Sequence, residues 1–325
     1  MPQSVSRQTE DASRRIIISG ASGFLGSALS ARIHREHITI QRLRRGVRVA
    51  APDIAWRPAE GEVDGASLDG AHAIVNLAGA PLARRWTARR KREILESRVD
   101  STALLARAIA RLAHPPSVFI SGSAIGIYGD RGDEELDEAS AQGSGFLAQT
   151  AAAWENATAP ARDAGIRVVL LRTGIVLSPR GGALAKLLLP FKLGLGGRVG
   201  SGAQWMSWIA LEDWVSAVTY AVDTDVSGPL NLVAPNPVPN AEFAATLGRV
   251  LGRPALLPIP ASAIDVLFGE MGRATLLASQ RVHPRRLIES GFGFSFPTLE
   301  QALRSELGNA GPDERAYRIE PASPE

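Results

Sequence analysis

The chain has 325 residues, of which 45% are hydrophobic and 21% charged, with a formal net charge of +3; this is a globular composition large enough for one big domain or two smaller ones. It contains no cysteine, so disulfides, thiolate nucleophiles and cysteine metal sites are excluded together. No apolar stretch approaches the ~20 residues of a membrane span and the polar start carries no apolar leader segment, so a cytoplasmic protein without membrane partners is expected.

The first element is Ile16-Ile17-Ile18-Ser19, a β-branched run suited to a strand covered on both faces. It breaks into Gly20-Ala21-Ser22-Gly23-Phe24-Leu25-Gly26 and continues as an amphipathic helix over residues 25–35. Glycines three apart between a strand and a helix let the turn tighten and the backbone approach a pyrophosphate, whose charge then sits at a helix N-terminus. The expected cofactor contacts are Gly20, Ser22, Gly23, Phe24, Leu25 and Gly26, with Ser19 part of the cradle and not a nucleophile. A short strand over 38–41 leads into Gln41-Arg42-Leu43-Arg44-Arg45. An NAD site would place an acid here for the ribose 2′-hydroxyl. Arg42, Arg44 and Arg45 instead suit the 2′-phosphate of NADP, each charge-assisted hydrogen bond being worth about 1.5–3 kcal/mol.

Residues 73–77 (Ala-Ile-Val-Asn-Leu) read as a buried strand, and the small residues that follow let Leu77, Ala78 and Gly79 pass close to a ribose and diphosphate. A helix over 88–112 opens with the densest basic cluster, Arg84, Arg85, Arg89, Arg90, Lys91 and Arg92. Three readings of it stand: a solvated helix face, a site for an anionic cofactor or substrate, and, trailing these, a nucleic-acid patch. A strand over 117–121 ends at Ser121-Gly122-Ser123, which puts Ser121 and Ser123 near the nicotinamide end of a bound cofactor. A helix over 146–163, disturbed late by Pro160, and a strand over 167–172 complete the alternation, with Thr173 and Gly174 beside the nicotinamide or substrate. Strand–helix repeats of this length predict a doubly wound parallel sheet.

After Gly174 the chain is punctuated by glycine and proline and predicts a smaller, irregular C-terminal substrate lobe, with helices over 211–223, 240–251, 261–269 and 298–307. The expected division is a disordered tail (1–14), a Rossmann-type NADP-binding domain (15–175, with later segments returning to it), a substrate lobe (176–308) and a loose tail (309–325). The five histidines show no metal-ligand spacing, so no metal site is expected. No G-x-S-x-G elbow appears, which argues against an α/β-hydrolase.

The run Ser121 to Asp130, with its Tyr128-Gly129-Asp130-Arg131-Gly132, resembles the short-chain dehydrogenase/reductase superfamily in its extended branch. More closely, the chain is similar to the atypical "epimerase family" group of NAD-dependent epimerase/dehydratase-like proteins that carry a characteristic C-terminal region. The resemblance covers about residues 15–308. It rests on the glycine turn, Asn76-Leu77-Ala78-Gly79, Arg85-Trp86-Thr87, Glu96-Ser97-Arg98, Arg172-Thr173-Gly174-Ile175-Val176-Leu177, Gly181-Gly182-Ala183-Leu184, Ser207-Trp208-Ile209 with Glu212-Asp213, and Gln280-Arg281-Val282 before Pro284. The first two runs are generic to the superfamily and the later ones specific to the group.

Members of the superfamily use a Tyr-x-x-x-Lys pair, the lysine lowering the phenol pKa from about 10. The corresponding place here reads Phe146-Leu147-Ala148-Gln149-Thr150, and no lysine lies between Lys91 and Lys186. The cofactor site transfers and the proton relay does not. Ser123 and Tyr128 are the candidate catalytic residues, Tyr128 either as a cleft-facing phenol or, as the resemblance implies, as a residue that shapes the pocket; Arg85, Arg98 and Trp208 are candidate substrate contacts, Trp208 reading first as packing between lobes. Two functions are compatible with this pattern. One is an NADP(H)-binding oxidoreductase or epimerase acting on a small carbonyl, alcohol or sugar nucleotide; the other is a non-catalytic NADP(H)-binding redox sensor or scaffold. The helices over 88–112 and 146–163 fit a monomer or a homodimer.

Overall fold

The computed structural model describes residues 14–35 and 38–308; apart from Arg14, the expected tails at 1–14 and 309–325 lie outside the described residues. The central sheet has eight strands in the order Gly228–Leu232, Arg167–Thr173, Val118–Ala124, Ala73–Asn76, Arg15–Ser19, Thr39–Arg45, Ile54–Arg57 and Glu62–Val63. Arg15–Ser19 is central and pairs in parallel with Thr39–Arg45 on one side and Ala73–Asn76 on the other. Ile16, Ile17 and Ile18 are almost wholly buried, each worth about 1.5–3 kcal/mol relative to exposure. Only the last pair, Ile54–Arg57 with Glu62–Val63, is antiparallel among those whose register is defined. This is the mostly parallel, helix-flanked sheet that strand–helix alternation predicts, accompanied by a smaller C-terminal region.

Several element bounds differ from expectation. The second strand runs through Arg45 because it is held on both sides, by Arg15–Ser19 and by Ile54–Arg57, although only Leu43 along it is buried. The helix expected over 146–163 is two, Phe146–Asn156 and Ala159–Asp163, the second with its proline in the first turn where a missing N–H costs nothing. The long helix Ala88–Ile109 starts at Thr87, whose Oγ1 accepts from Arg90 N at 3.2 Å, and buries Ile94, Leu104, Leu105 and Ile109.

Two compact units can be drawn. The first holds the residues up to 127, 144–172 and 217–230; the second holds 128–143, 173–216 and 231 onward. The first has a core of Ile17, Leu43, Trp56, Ile74, Leu105, Phe119 and their neighbours. The second is built on short strand pairs, Trp208–Ala210 with Ile175–Leu177, Trp205–Met206 with Val238–Pro239, and Arg281–Val282 with Glu135–Leu136. Its core gathers Leu184, Trp208, Phe243, Leu247 and Leu303. No helix among the described residues is long and apolar enough to cross a membrane.

Candidate functional site

The turn after Arg15–Ser19 is closed to side chains by backbone contact. Gly20 has φ +69°, and a Cβ on it would lie 2.7 Å from the Leu77 carbonyl oxygen and 3.0 Å from Ala78 N. A Cβ on Gly26 would stand 2.2 Å from the Gly20 oxygen and 2.8 Å from Ala21 Cα. Gly23 N donates to the Gly20 carbonyl at 2.9 Å, which folds the turn onto the start of helix Phe24–Arg35. Ser22 and Gly23 are exposed, Phe24 and Leu25 half-buried. The first turn of this helix carries no acid, and its leading N–H groups have no partner within the helix. A surface of backbone donors without negative charge fits a phosphate.

The far wall of this cradle is Asn76-Leu77-Ala78-Gly79, fixed by a buried network. Ser19 Oγ donates to Asn76 Oδ1 at 2.5 Å, Asn76 Nδ2 donates to Thr102 Oγ1 at 2.8 Å, and Trp154 Nε1 donates to the same hydroxyl at 2.8 Å. Leu77 N donates to the Ser19 carbonyl at 3.2 Å. Two strands and two helices thus share one set of hydrogen bonds at the base of the site. Gly122 lies under the Trp154 ring, where a Cβ would meet it at 2.6 Å.

The arginines of the second strand do not converge. Ser19 is level with Leu43, so Arg44 and Arg45 stand level with the start of the glycine turn, whereas Arg42, level with Ile18, lies two residues short of it. Alternation puts Arg42 and Arg44 on one face and Arg45 on the other. All three are exposed, and Arg44 Nη1 lies 3.4 Å from Asp53 Oδ2, an acid from the neighbouring chain segment that sequence reading did not bring to this place.

Both catalytic candidates are held in place. Ser123 is buried and donates to Glu155 Oε1 at 2.6 Å, and the same carboxylate receives Arg172 Nε and Nη2 at 2.9 Å each. Ser121 is fully buried, its hydroxyl turned to the Gly122 carbonyl at 3.2 Å. The cleft-facing tyrosine is corrected: Tyr128 is 0% exposed and donates to Asn231 Oδ1 at 2.7 Å. The place of the Tyr-x-x-x-Lys pair is a helix whose Ala148, Thr150 and Ala151 are buried.

The substrate candidates separate as well. Trp208 is corrected to a core residue, 0% exposed, with its Nε1 donating to the Asn236 carbonyl at 3.1 Å; a large apolar ring gains more from packing than from lining a wet site. Arg85 is exposed on the loop before Ala88–Ile109. Arg98 alone lies against the cradle wall, beside Gly79. Thr173 accepts from Trp214 Nε1 at 3.1 Å. The basic cluster is divided in use: Arg90 pairs with Glu93 and donates to the Pro81 carbonyl, Lys91 lies 5.1 Å from the Phe146 ring centroid, and Arg84, Arg89 and Arg92 face solvent. A cleft of about 670 Å³ edged by Trp56, Arg57, Glu62 and Arg107 shares no residue with the cradle.

Sequence reasoning missed Glu155, Thr102 and Trp154, and gave Arg172 no role. The available signals were an arginine directly after the apolar strand run Val168 to Leu171 and a Trp-Glu pair in an alanine-rich helix.

The "NAD dependent epimerase/dehydratase family" model matches residues 16–232, and a "domain of unknown function (DUF1731)" matches 259–306. "Epimerase family protein Mb2239" of Mycobacterium bovis is 42% identical over 290 residues, 89% of this chain and 96% of that protein. "Epimerase family protein SDR39U1" of Mus musculus is 38% identical over 297 residues, 89% and 98% of the two chains. The crystal structure of human epimerase family protein SDR39U1 (isoform 2) with NADPH superposes with a TM-score of 0.83 at 36% identity, over 91% of this chain and 100% of that one.

Proposed function

The chain belongs to the NAD dependent epimerase/dehydratase family, and from that premise we propose that it is an NADP(H)-binding oxidoreductase or epimerase-like protein acting on a small carbonyl, alcohol or sugar-nucleotide substrate. The observation that carries the reading is the 20–26 turn, where backbone fills the space a side chain would need at Gly20 and Gly26 and leaves a helix N-terminus without an acid. Arg44, level with the start of that turn, favours a 2′-phosphate, and the NADPH in the human relative supports the same choice. Bound nicotinamide supplies hydride transfer at a carbon–oxygen centre.

The chain's own groups orient rather than relay. Ser123 has its proton committed to Glu155, whose two oxygens are also taken by Arg172, so its Oγ offers lone pairs to a donor and not a mobile proton. The same observation favours a second reading, an NADP(H)-binding sensor that keeps the site and has lost turnover.

Thermal melting with NADPH and then NADH tests the cofactor. At about a hundred times the dissociation constant the true ligand adds about 2.7 kcal/mol, and equal stabilisation by NADH would defeat the 2′-phosphate argument. Loss of the near-ultraviolet absorbance of bound NADPH with a member of a carbonyl and sugar-nucleotide panel supports the enzyme; silence across the panel supports the sensor.

A further inference from the structure

The sheet face that carries Ala88–Ile109 is short of one helix. The chain passes from Ile54–Arg57 to the parallel strand Ala73–Asn76 through residues 58–72, crossing the sheet in the same direction as the Ala88–Ile109 connection and so on the same face. A helix in this crossover would pack beside Ala88–Ile109. Residues 58–72 instead form two short helical turns, Pro58–Glu60 and Ala66–Leu68, and the two-residue strand Glu62–Val63. What remains between that hairpin and the second half of the long helix is a cleft of about 670 Å³, lined wholly by residues of the first compact unit.

The cleft has an apolar interior and a basic rim. Trp56 and Leu104, 3% and 7% exposed, close its floor, and Val63 and Ala108 above them are half-buried. Val47, which also lines it, is exposed. Two of the charged groups here are answered: Arg57 pairs with Glu62 across the hairpin, and Asp64 accepts from Ser67 Oγ at 2.5 Å. Arg107 and Arg111 differ. They stand one helical turn apart on the same side of the helix, both are exposed, and among the described residues neither guanidinium makes a hydrogen bond or an ion pair. Asp100, two turns back, interacts with Arg107 only at a distance. The helix dipole favours a basic residue in the last turn, where Arg107 lies. It gives no reason for two like charges one turn apart, which repel, beside an open apolar cleft.

Volume and lining set the class of ligand. Cavities of about 300–1,000 Å³ take small molecules, whose bodies lie on apolar walls while a few polar groups fix their orientation. Two forked donors on one rim match the oxygens of a single carboxylate or phosphate. We infer that this cleft is a second ligand site that takes a small amphiphilic anion, its apolar body against Val47, Val63 and Ala108 and its carboxylate or phosphate between Arg107 and Arg111. The cleft shares no residue with the 20–26 turn or the 76–79 wall, so the site goes beyond the cofactor reading and stands without it.

Fluorescence titration of the full chain with 1-anilinonaphthalene-8-sulfonate, an apolar ring system bearing one anionic group, tests the site, with and without excess NADP⁺. Wild type should show a saturable site that NADP⁺ leaves unchanged. The double variant Arg107→Gln with Arg111→Gln, which keeps good helix formers at exposed positions, should weaken that site about tenfold or more and hold the ligand-free Tm and the NADPH affinity. Ala108→Trp, which fills the cleft, should abolish it. N-phenyl-1-naphthylamine, with the same rings and no charge, should bind wild type and the double variant alike. Decanoate and decyl phosphate should displace the probe, and the one that does so at lower concentration identifies the anionic group. Probe affinity unchanged in the double variant or in Ala108→Trp, displacement of the probe by NADP⁺, absence of a saturable site, or failure of both decyl compounds to compete would each overturn the assignment.

Discussion

Replacing Glu155 by Gln should be far more damaging than its near-isosteric nature suggests. The carboxylate receives Ser123 Oγ at 2.6 Å and Arg172 Nε and Nη2 at 2.9 Å, and the two ionic side chains are each 10% exposed. Removing only the negative charge leaves the Arg172 guanidinium buried without its counterion, a loss of about 3–5 kcal/mol. That is a large share of the ~5–15 kcal/mol by which a typical domain is stable. Ser123→Ala, which removes one donor to a charge that keeps two others, should cost about 1.5–3 kcal/mol. The double variant Glu155→Met with Arg172→Met removes both charges and keeps the volume, and should cost less than Glu155→Gln alone. Urea unfolding followed by tryptophan fluorescence ranks the variants, with Trp154 one residue from the clamp as a local reporter. A double variant as unstable as the sum of its single changes, or a Glu155→Gln cost below about 1 kcal/mol, would refute the view that this ion pair holds Ser123 in place.

Other outcomes follow from the same structure. Gly26→Ala drives a methyl into the Gly20 carbonyl at 2.2 Å, a backbone clash with no side chain to yield; NADPH affinity measured by calorimetry should fall more than about a hundredfold, with overpacking costing about 1–3 kcal/mol of stability and the circular dichroism spectrum retained. Tyr128→Phe leaves Asn231 Oδ1 without its buried donor and should cost about 1–3 kcal/mol in urea unfolding, while the NADPH dissociation constant stays unchanged; a lost cofactor site in this variant would restore Tyr128 to the functional list. Arg44→Ser should weaken NADPH about tenfold and leave NADH alone, read by paired titrations. Asp213 is raised to about 6, chiefly by burial, which outweighs the N–H groups of Ser295 and Phe296 that favour its charged form. Because the folded form holds the proton more tightly than the unfolded one, its contribution is full below about pH 4 and declines up to about pH 6, by about 3 kcal/mol in all. The stability of wild type relative to Asp213→Asn should therefore fall between pH 4 and 6.5 and be level above; a difference that rises over this interval would reverse the assignment.

What the sequence revealed was what is encoded locally. Ile16 to Gly26 carries strand, turn and helix start in eleven consecutive residues, so burial, backbone freedom and periodicity all point to one structure. The arginine-rich second strand was harder to read. Thr39–Arg45 has a single buried residue, and its length is set by two neighbouring strands and not by its own pattern. The Ser123–Glu155–Arg172 clamp was out of reach for another reason: its members are 32 and 17 residues apart, and no spacing rule joins a strand end to a helix and to the next strand. Trp208 reads from sequence first as packing and second as a substrate contact, because an aromatic beside polar residues suits either, and its enclosure among Leu177, Leu184 and Phe243 places it in the core.

The edge of the central sheet is made late. Gly228–Leu232 is the outermost strand beside Arg167–Thr173, and residues 217–230 come back to the first unit after a long excursion. A ribosome that has released residue 175 has therefore exposed a hydrogen-bonding border it cannot yet cover, and a shortened version ending there would keep that border open as a template for pairing with other chains. Cutting this protein at the apparent end of its nucleotide-binding repeats would yield an aggregation-prone fragment, whereas one carried past residue 232 would contain its own cover.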